Sequence, residues 1–67
     1  MKKSEFQFIV NHNVEDMVGY LMEDYGMSIV DAFDKVYNSQ TYQTLQDAHS
    51  GIYRNSSAYM YERLRQE

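Results

Sequence analysis

The clearest feature of the chain is a series of apolar positions that recur every three or four residues in its first third. This period places them on one side of a helix, which we expect to span about residues 5–25. Ser4 and Gln7 have the spacing of a capping box at its start, and Gly26 stands where a left-handed residue ends a helix. The stripe consists of Phe6, Val10, Val14, Met17, Val18, Leu21 and Tyr25.

Three poor helix formers in a row, Asn11-His12-Asn13, interrupt this predicted helix. A kink there would turn Phe8 and Ile9 back onto their own core. In a continuous helix, Phe8, Ile9, Tyr20 and Met22 lie beyond the main stripe, and Ile9 and Tyr20 share one side because they are three turns apart. Exposed apolar side chains on so small a domain favour self-association through this helix.

A second helix is predicted after Ser28, which has capping spacing with Asp31. The Asn38-Ser39 pair then breaks the pattern, and Ser39 is the expected cap of a third short helix over residues 40–46. Two residues of that third helix should face inward, Tyr42 and Leu45. The inward stripe of the second helix is Ile29, Ala32, Phe33, Val36 and Tyr37.

Residues 47–55 are expected to form a loop, with Ser50-Gly51 as a turn signal. A last helix should begin at Ser56 or Ser57 and reach about Arg65. No stretch alternates with period two, so the sequence predicts an all-α fold, a compact bundle of three to four helices. Two apolar loop residues should hold the loop to the core, Ile52 and Tyr53.

The length of 67 residues predicts one small domain. Its core should supply only about 3–5 kcal/mol of net stability. There is no cysteine, which excludes disulfides and thiolate metal sites and suits a reducing cytoplasm. No apolar run approaches a membrane span, and the polar residues at 11–13 interrupt the N-terminus too early for a signal peptide. We therefore expect a cytoplasmic protein that gains stability from self-association or a partner protein.

The charge distribution argues against nucleic acid as a partner. The formal net charge is −4, and residues 4–53 contain eight acids and one base, Lys35. A domain with this excess of acidic residues repels phosphate backbones and anionic lipids. An alternative is a small DNA-binding regulator, with residues 28–46 as a helix-turn-helix-like segment. Its recognition helix would be residues 40–46, which offer Gln and Thr to base edges but contain no Lys or Arg.

The residues that could support catalysis or metal binding are few. His12 and His49 are the only imidazoles, and with Asp47 they could serve acid–base chemistry, but no nucleophile or oxyanion motif accompanies them. Asp31 and Asp34 could bind a cation, yet the regular oxygen spacing of a calcium loop is missing. The sequence therefore predicts a protein that is not an enzyme, with no catalytic residue, no cofactor and no metal site.

Tyrosine is the unusual residue of this composition, with seven copies against three leucines. Tyrosine suits half-buried positions and interfaces, because it combines apolar area with a hydroxyl. Tyr59 and Tyr61 are two apart on a presumed helix, so both cannot face inward. We expect an interaction surface formed by Phe8, Ile9, Tyr20, Met22, Tyr59 and Tyr61.

Six short segments within residues 18–64 resemble a group of small, uncharacterised bacterial proteins of about this length. The segments are residues 20–28, 31–34, 37–42, 45–47, 51–53 and 56–62. The chain departs from that group at Ser57, where a proline is expected, and at His49-Ser50. Members are often encoded near genes of toxin–antitoxin type. The resemblance implies a protein partner, and a role as a toxin–antitoxin accessory or antitoxin-like protein, but it implies no catalytic residues.

Overall fold

One long helix, α1, organises the fold, and three shorter helices pack around it. The computed structural model describes all residues, 1–67, and contains no strand. The prediction of an all-α bundle of three to four helices is confirmed. None of the helices combines the length and the apolar character needed to cross a membrane. The elements are α1 (Lys3–Tyr25), α2 (Ile29–Tyr37), α3 (Gln40–Gln46), 3-10 turns at Ala48–Ser50 and Ile52–Arg54, and α4 (Ser57–Arg65).

Helix α1 is continuous through Asn11-His12-Asn13, so the expected single helix is present and the alternative of a kink is wrong. The Asn13 side chain donates to the Ile9 carbonyl one turn earlier, at 3.1 Å, and is buried. Its carbonyl oxygen accepts a hydrogen bond from Ser57 of α4 at 2.8 Å. Asn13 is tolerated in the helix because its polar atoms have partners in the tertiary structure, which outweighs its low helix propensity.

The predicted capping box at the start of α1 is wrong. The helix begins at Lys3, its N-cap is Lys2, and no side chain caps it. Ser4 lies inside the first turn. Because this end is exposed, water can satisfy the free N–H groups, and a side-chain cap is not required. At the other end Gly26 adopts φ 67°, as predicted, and its N–H donates to the Met22 carbonyl.

The other three helices begin at serine caps, as the sequence predicts. Ser28, Ser39 and Ser56 each accept a hydrogen bond from the backbone N–H three residues later, at 3.1, 3.0 and 3.2 Å. Each serine thereby satisfies one of the free N–H groups at a helix start. The structure selects Ser56 rather than Ser57 as the cap of α4.

The core lies where α1 meets α2, α3 and α4. The ends of the predicted stripes lie outside it, since Tyr25 and Ile29 are 57% and 54% exposed. Ile52 and Tyr53 pack against the core as predicted, and the Tyr53 ring meets Phe6 edge to face at 5.1 Å. The buried apolar residues are Val10, Val14, Met17, Val18, Leu21, Ala32, Val36, Leu45, Met60, Tyr61 and Leu64.

Candidate functional site

The six residues that the sequence assigns to an interaction surface differ in their exposure. Phe8 and Met22 are exposed on α1, with Phe8 at 73%. Ile9 and Tyr20, the pair predicted to share an exposed side, are both half-buried. Tyr59 is exposed on α4, which fulfils the expectation that at least one of the two α4 tyrosines faces outward. Three of the six residues are therefore exposed, namely Phe8, Met22 and Tyr59.

Tyr61 does not belong to an exposed surface, because it is only 7% exposed and forms part of the core. Its ring lies 5.0 Å from that of Tyr20, which accounts for the partial burial of Tyr20. The Tyr61 hydroxyl donates to the Asp24 carboxylate at 2.6 Å. Burial and this hydrogen bond raise the pKa of Tyr61 to about 12. Tyr61 therefore joins α4 to α1 and is unavailable to a partner.

Helix α2 carries more apolar residues than its core contact uses. Only Ala32 and Val36 of its nine residues are buried. Val30, Phe33 and Tyr37 are spaced three and four apart, which places them on one side of the helix. Val30 is 72% exposed, Tyr37 is 48% exposed and Phe33 is half-buried. We call these three residues the α2 ridge. The apolar spacing gave no signal for Val30 and placed Phe33 and Tyr37 on the inward stripe.

A groove runs between α1 and α2 beside this ridge. Its volume is about 290 Å³, slightly below the range of pockets that enclose small ligands. The opening faces solvent, so it suits side chains presented by another protein better than an enclosed small molecule. The residues that line this α1–α2 groove are Asn11, Val14, Glu15, Phe33 and Tyr37.

Aromatic contacts hold the groove wall in place. The rings of Phe33 and Tyr37 stack with their centroids 5.7 Å apart and an interplanar angle of 18°. Tyr42 of α3 meets Tyr37 edge to face at 4.9 Å, and its hydroxyl accepts a hydrogen bond from Gln46 at 2.8 Å. Rings fixed by such contacts lose little conformational freedom on binding, so this wall is preorganised for a partner.

A polar cluster between α1 and α4 contains His12, Asp16 and Ser57, the residue types of a catalytic triad. The Asp16 carboxylate lies between the other two, accepting from Ser57 Oγ at 2.6 Å and lying 3.3 Å from His12 Nε2. In a triad the histidine must contact the serine so that it can remove the hydroxyl proton. Here the serine proton is directed to the carboxylate and to Asn13. The cluster therefore joins α1 to the first residue of α4, and its geometry does not activate a nucleophile.

The other residues that the sequence offers for acid–base chemistry or cation binding lie apart from this cluster. His49 lies exposed in a 3-10 turn whose cap is Asp47, and Asp47 accepts from the His49 backbone N–H at 3.0 Å. Asp34 accepts from the Asn38 side chain at 3.1 Å. No three His, Cys, Asp or Glu side chains come close enough to hold a metal ion.

No protein-family model, curated protein or solved structure matches this chain. The resemblance to small bacterial proteins therefore stays a prediction. The proposed function is therefore inferred from the α2 ridge and the α1–α2 groove.

A small cavity of about 200 Å³ lies near the ends of α1 and α4, with Lys35 and Arg65 among its lining residues. Two cations over an apolar floor resemble an anion site. However, helix C-termini carry partial negative charge, and both α1 and α4 end here. The Glu67 side chain also lines the cavity, and Arg65 pairs with Glu62 at 3.0 Å, so carboxylates of the protein already neutralise the two cations. We therefore interpret the two cations as structural.

Glu67 caps α3 from a distance of 27 residues along the chain. Its carboxylate accepts the backbone N–H of Gln40 at 2.8 Å and that of Thr41 at 2.9 Å, as well as the Thr41 hydroxyl. Burial opposes ionisation of this carboxyl, but the hydrogen bonds from Thr41 and Gln40 outweigh it and lower the pKa of Glu67 below 4.5. No local spacing in the sequence signals this contact, so it could not be predicted.

Glu67→Gln should lower the free energy of unfolding at pH 7 by about 1 kcal/mol. This is the typical effect of a lost helix cap, and the carboxylate is partly screened by solvent. Because the folded pKa lies below 4.5, the stabilisation is full above pH 4.5 and disappears as the pH falls through the folded pKa. Urea titrations of both proteins between pH 7 and pH 3 measure the difference. Glu62→Gln, which breaks only an exposed ion pair, should change stability less; equal losses would contradict the capping role.

Proposed function

We propose that this protein is a non-enzymatic interaction module that binds another protein through the α1–α2 groove and the α2 ridge. The observation that carries the proposal is the α2 ridge, where Val30 and Tyr37 are exposed beside a groove with a fixed aromatic wall. Full burial of an apolar side chain of this size contributes about 1.5–3 kcal/mol. A partner that covers the ridge could therefore add stabilisation comparable with that of the isolated domain.

DNA binding through residues 28–46 is less well supported. In a helix-turn-helix, α3 would be the recognition helix, and helix N-termini commonly approach phosphates. The carboxylate of Glu67 already occupies the start of α3 and would repel a phosphate there. Helix α3 also has no Lys or Arg. Both features favour a protein partner over nucleic acid.

Self-association remains the second candidate, because Phe8 and Met22 are exposed on α1. A homodimer that covers them would gain the stability that a domain of this size needs.

We also propose a cytoplasmic location, because a chain without cysteine suits a reducing compartment.

Val30→Asp should weaken binding of the partner at least tenfold, which corresponds to about 1.4 kcal/mol. The change removes apolar contact and places a charge in the interface. It should leave the fold intact, because Val30 is exposed in the first turn of α2, where an acid is favourable. A photo-crosslinking residue at position 30 would capture the partner in the cells of origin. The partner would then be purified, and calorimetry would give its affinity for each variant.

Tyr59→Asp is the matched control, since Tyr59 is exposed in the first turn of α4 and lies outside the groove. The affinity of Tyr59→Asp for the purified partner should equal that of the unaltered protein. Circular dichroism should show that Tyr59→Asp and Val30→Asp both keep their helix content. Equal affinity for Val30→Asp, a loss confined to Tyr59→Asp, or no adduct from position 30 would each contradict the proposal.

A further inference from the structure

The charges around the α2 ridge have one sign. Glu15 lines the groove and is exposed, with no partner among the ion pairs or hydrogen bonds of the protein. Asp34 lies four residues after Val30 and three before Tyr37, so it flanks the ridge on the same helix. The one lysine of α2, Lys35, lines the cavity near the ends of α1 and α4 instead. The ridge and groove therefore combine aromatic surface with acidic groups and no cation.

A second copy of this chain is a poor occupant for such a surface. In a two-fold dimer the same patch meets itself, so the acids Glu15 and Asp34 of one copy would approach the acidic patch of the other. Like charges brought together in an interface are unfavourable, and the net charge of −4 adds to the repulsion. The charge pattern instead complements a segment with cations beside an apolar strip.

The shape of the surface favours a helical occupant. Its apolar residues recur at i, i+3 and i+7 along α2, which is the spacing of a ridge that fits between the side chains of another helix. A helix beside α2 would cover about 13 Å, the length of nine helical residues. A peptide that binds by adding a strand would need a free sheet edge, and this domain has no strand.

We propose that the α1–α2 groove binds a basic amphipathic helix of a partner protein, an inference that rests on the proposed function. Apolar side chains of the helix at i, i+3 or i+4, and i+7 would lie between Phe33 and Tyr37 on one side and α1 on the other. Lys or Arg next to that strip would lie near Glu15 and Asp34. Recognition of an amphipathic helix in a groove is a general mode of peptide binding.

A displayed library of helical peptides tests the occupant directly. Each peptide would have fixed apolar residues at i, i+3, i+4 and i+7, and all four charged residue types would be equally represented at the other positions. Peptides selected on the unaltered protein should gain Lys and Arg and lose Asp and Glu. Val30→Asn removes the apolar contact without adding a charge that would attract a basic helix, and the purified peptides should bind it about tenfold more weakly than the unaltered protein.

Two glutamates of α1 provide the test of charge. Glu15→Gln should weaken binding of the selected peptides by about threefold at low salt, the size of one partly exposed ion pair, and the loss should shrink as salt rises. Glu23→Gln makes the same chemical change on the same helix at an exposed position outside the groove. It should leave the affinity unchanged; equal effects of the two variants would overturn the inference.

The outcomes separate this inference from the proposed function. Neutral or acidic peptides that bind the unaltered protein but bind Val30→Asn weakly would overturn the basic helix and leave the interaction module standing. Peptides that bind Val30→Asn as well as they bind the unaltered protein would show that the α2 ridge is not part of the site, and both proposals would fail. If no peptide is enriched and the protein sediments as a dimer that Val30→Asn dissociates, a second copy is the occupant and the inference is overturned.

Discussion

Asn13→Asp is expected to bring the protein close to its unfolding midpoint at neutral pH. The substitution keeps the size of the side chain but replaces its N–H donor with a second oxygen. At this buried position the Asn13 amide donates to the Ile9 carbonyl, and its oxygen shares the Ser57 hydroxyl with Asp16. The introduced carboxylate would lose the donor and would compete with Asp16 for the single proton of Ser57.

The expected cost of this uncompensated buried charge is about 3–5 kcal/mol. The start of α4, where Ser57 lies, favours an acid by only about 0.3–1 kcal/mol, so it does not offset the loss. A domain of this size has about 3–5 kcal/mol of stability in total. The variant should therefore lie near its unfolding midpoint without denaturant.

The loss should depend on pH in a defined direction. Burial and the Asp16 charge would raise the pKa of the introduced carboxyl in the folded state above its unfolded value of about 3.9. The cost is therefore absent below pH of about 3.9, grows as pH rises to the folded pKa, and is constant above it. Urea titrations of the variant and the unaltered protein from pH 4 to pH 8 measure this difference.

Asn11→Asp is the control, because Asn11 lies on the same helix but is exposed. Its hydrogen bond to the Gln7 side chain, at 3.0 Å, is also exposed, so its effect should stay within about 0.5 kcal/mol at every pH. If Asn13→Asp were as stable as Asn11→Asp at pH 8, Asn13 would not be the buried link between α1 and α4 that the structure shows.

Leu21→Ala is expected to remove most of the cooperative unfolding transition at room temperature. Leu21 is fully buried in the part of α1 that contacts the other helices, and it also lines the small cavity near the C-terminal ends of α1 and α4. Truncation of a buried leucine costs about 2–5 kcal/mol, and an adjacent cavity would enlarge the void. This loss equals most of the stability of so small a domain. Thermal unfolding followed by circular dichroism measures it.

Leu21→Met is the matched control, since methionine conserves most of the volume and fills irregular space. Its cost should remain below about 1.5 kcal/mol, with a cooperative transition preserved. If Leu21→Ala and Leu21→Met unfolded at the same temperature, the core would be loosely packed around residue 21. This result would contradict the close packing of α1 against the other helices.

The features that the sequence predicted correctly depend on residues close together along the chain. Ser28 and Ser39 cap helices three residues ahead, and Gly26 ends α1 because it can adopt a positive φ. The apolar spacing also identified most of α1's core face, since helical geometry converts sequence intervals into directions. The capping box at Ser4 failed because an exposed helix start can be satisfied by water as well as by a side chain.

The features that only the tertiary structure decided depend on residues far apart along the chain. Asn13 keeps α1 continuous because Ser57, 44 residues later, supplies a partner, and Glu67 caps α3 from 27 residues away. Periodicity gives the direction of each side chain from its own helix, but the positions of neighbouring helices determine which sides are covered. Tyr61 is therefore buried against α1, while Val30 and Tyr37 stay exposed, because no other helix of this chain covers that side of α2.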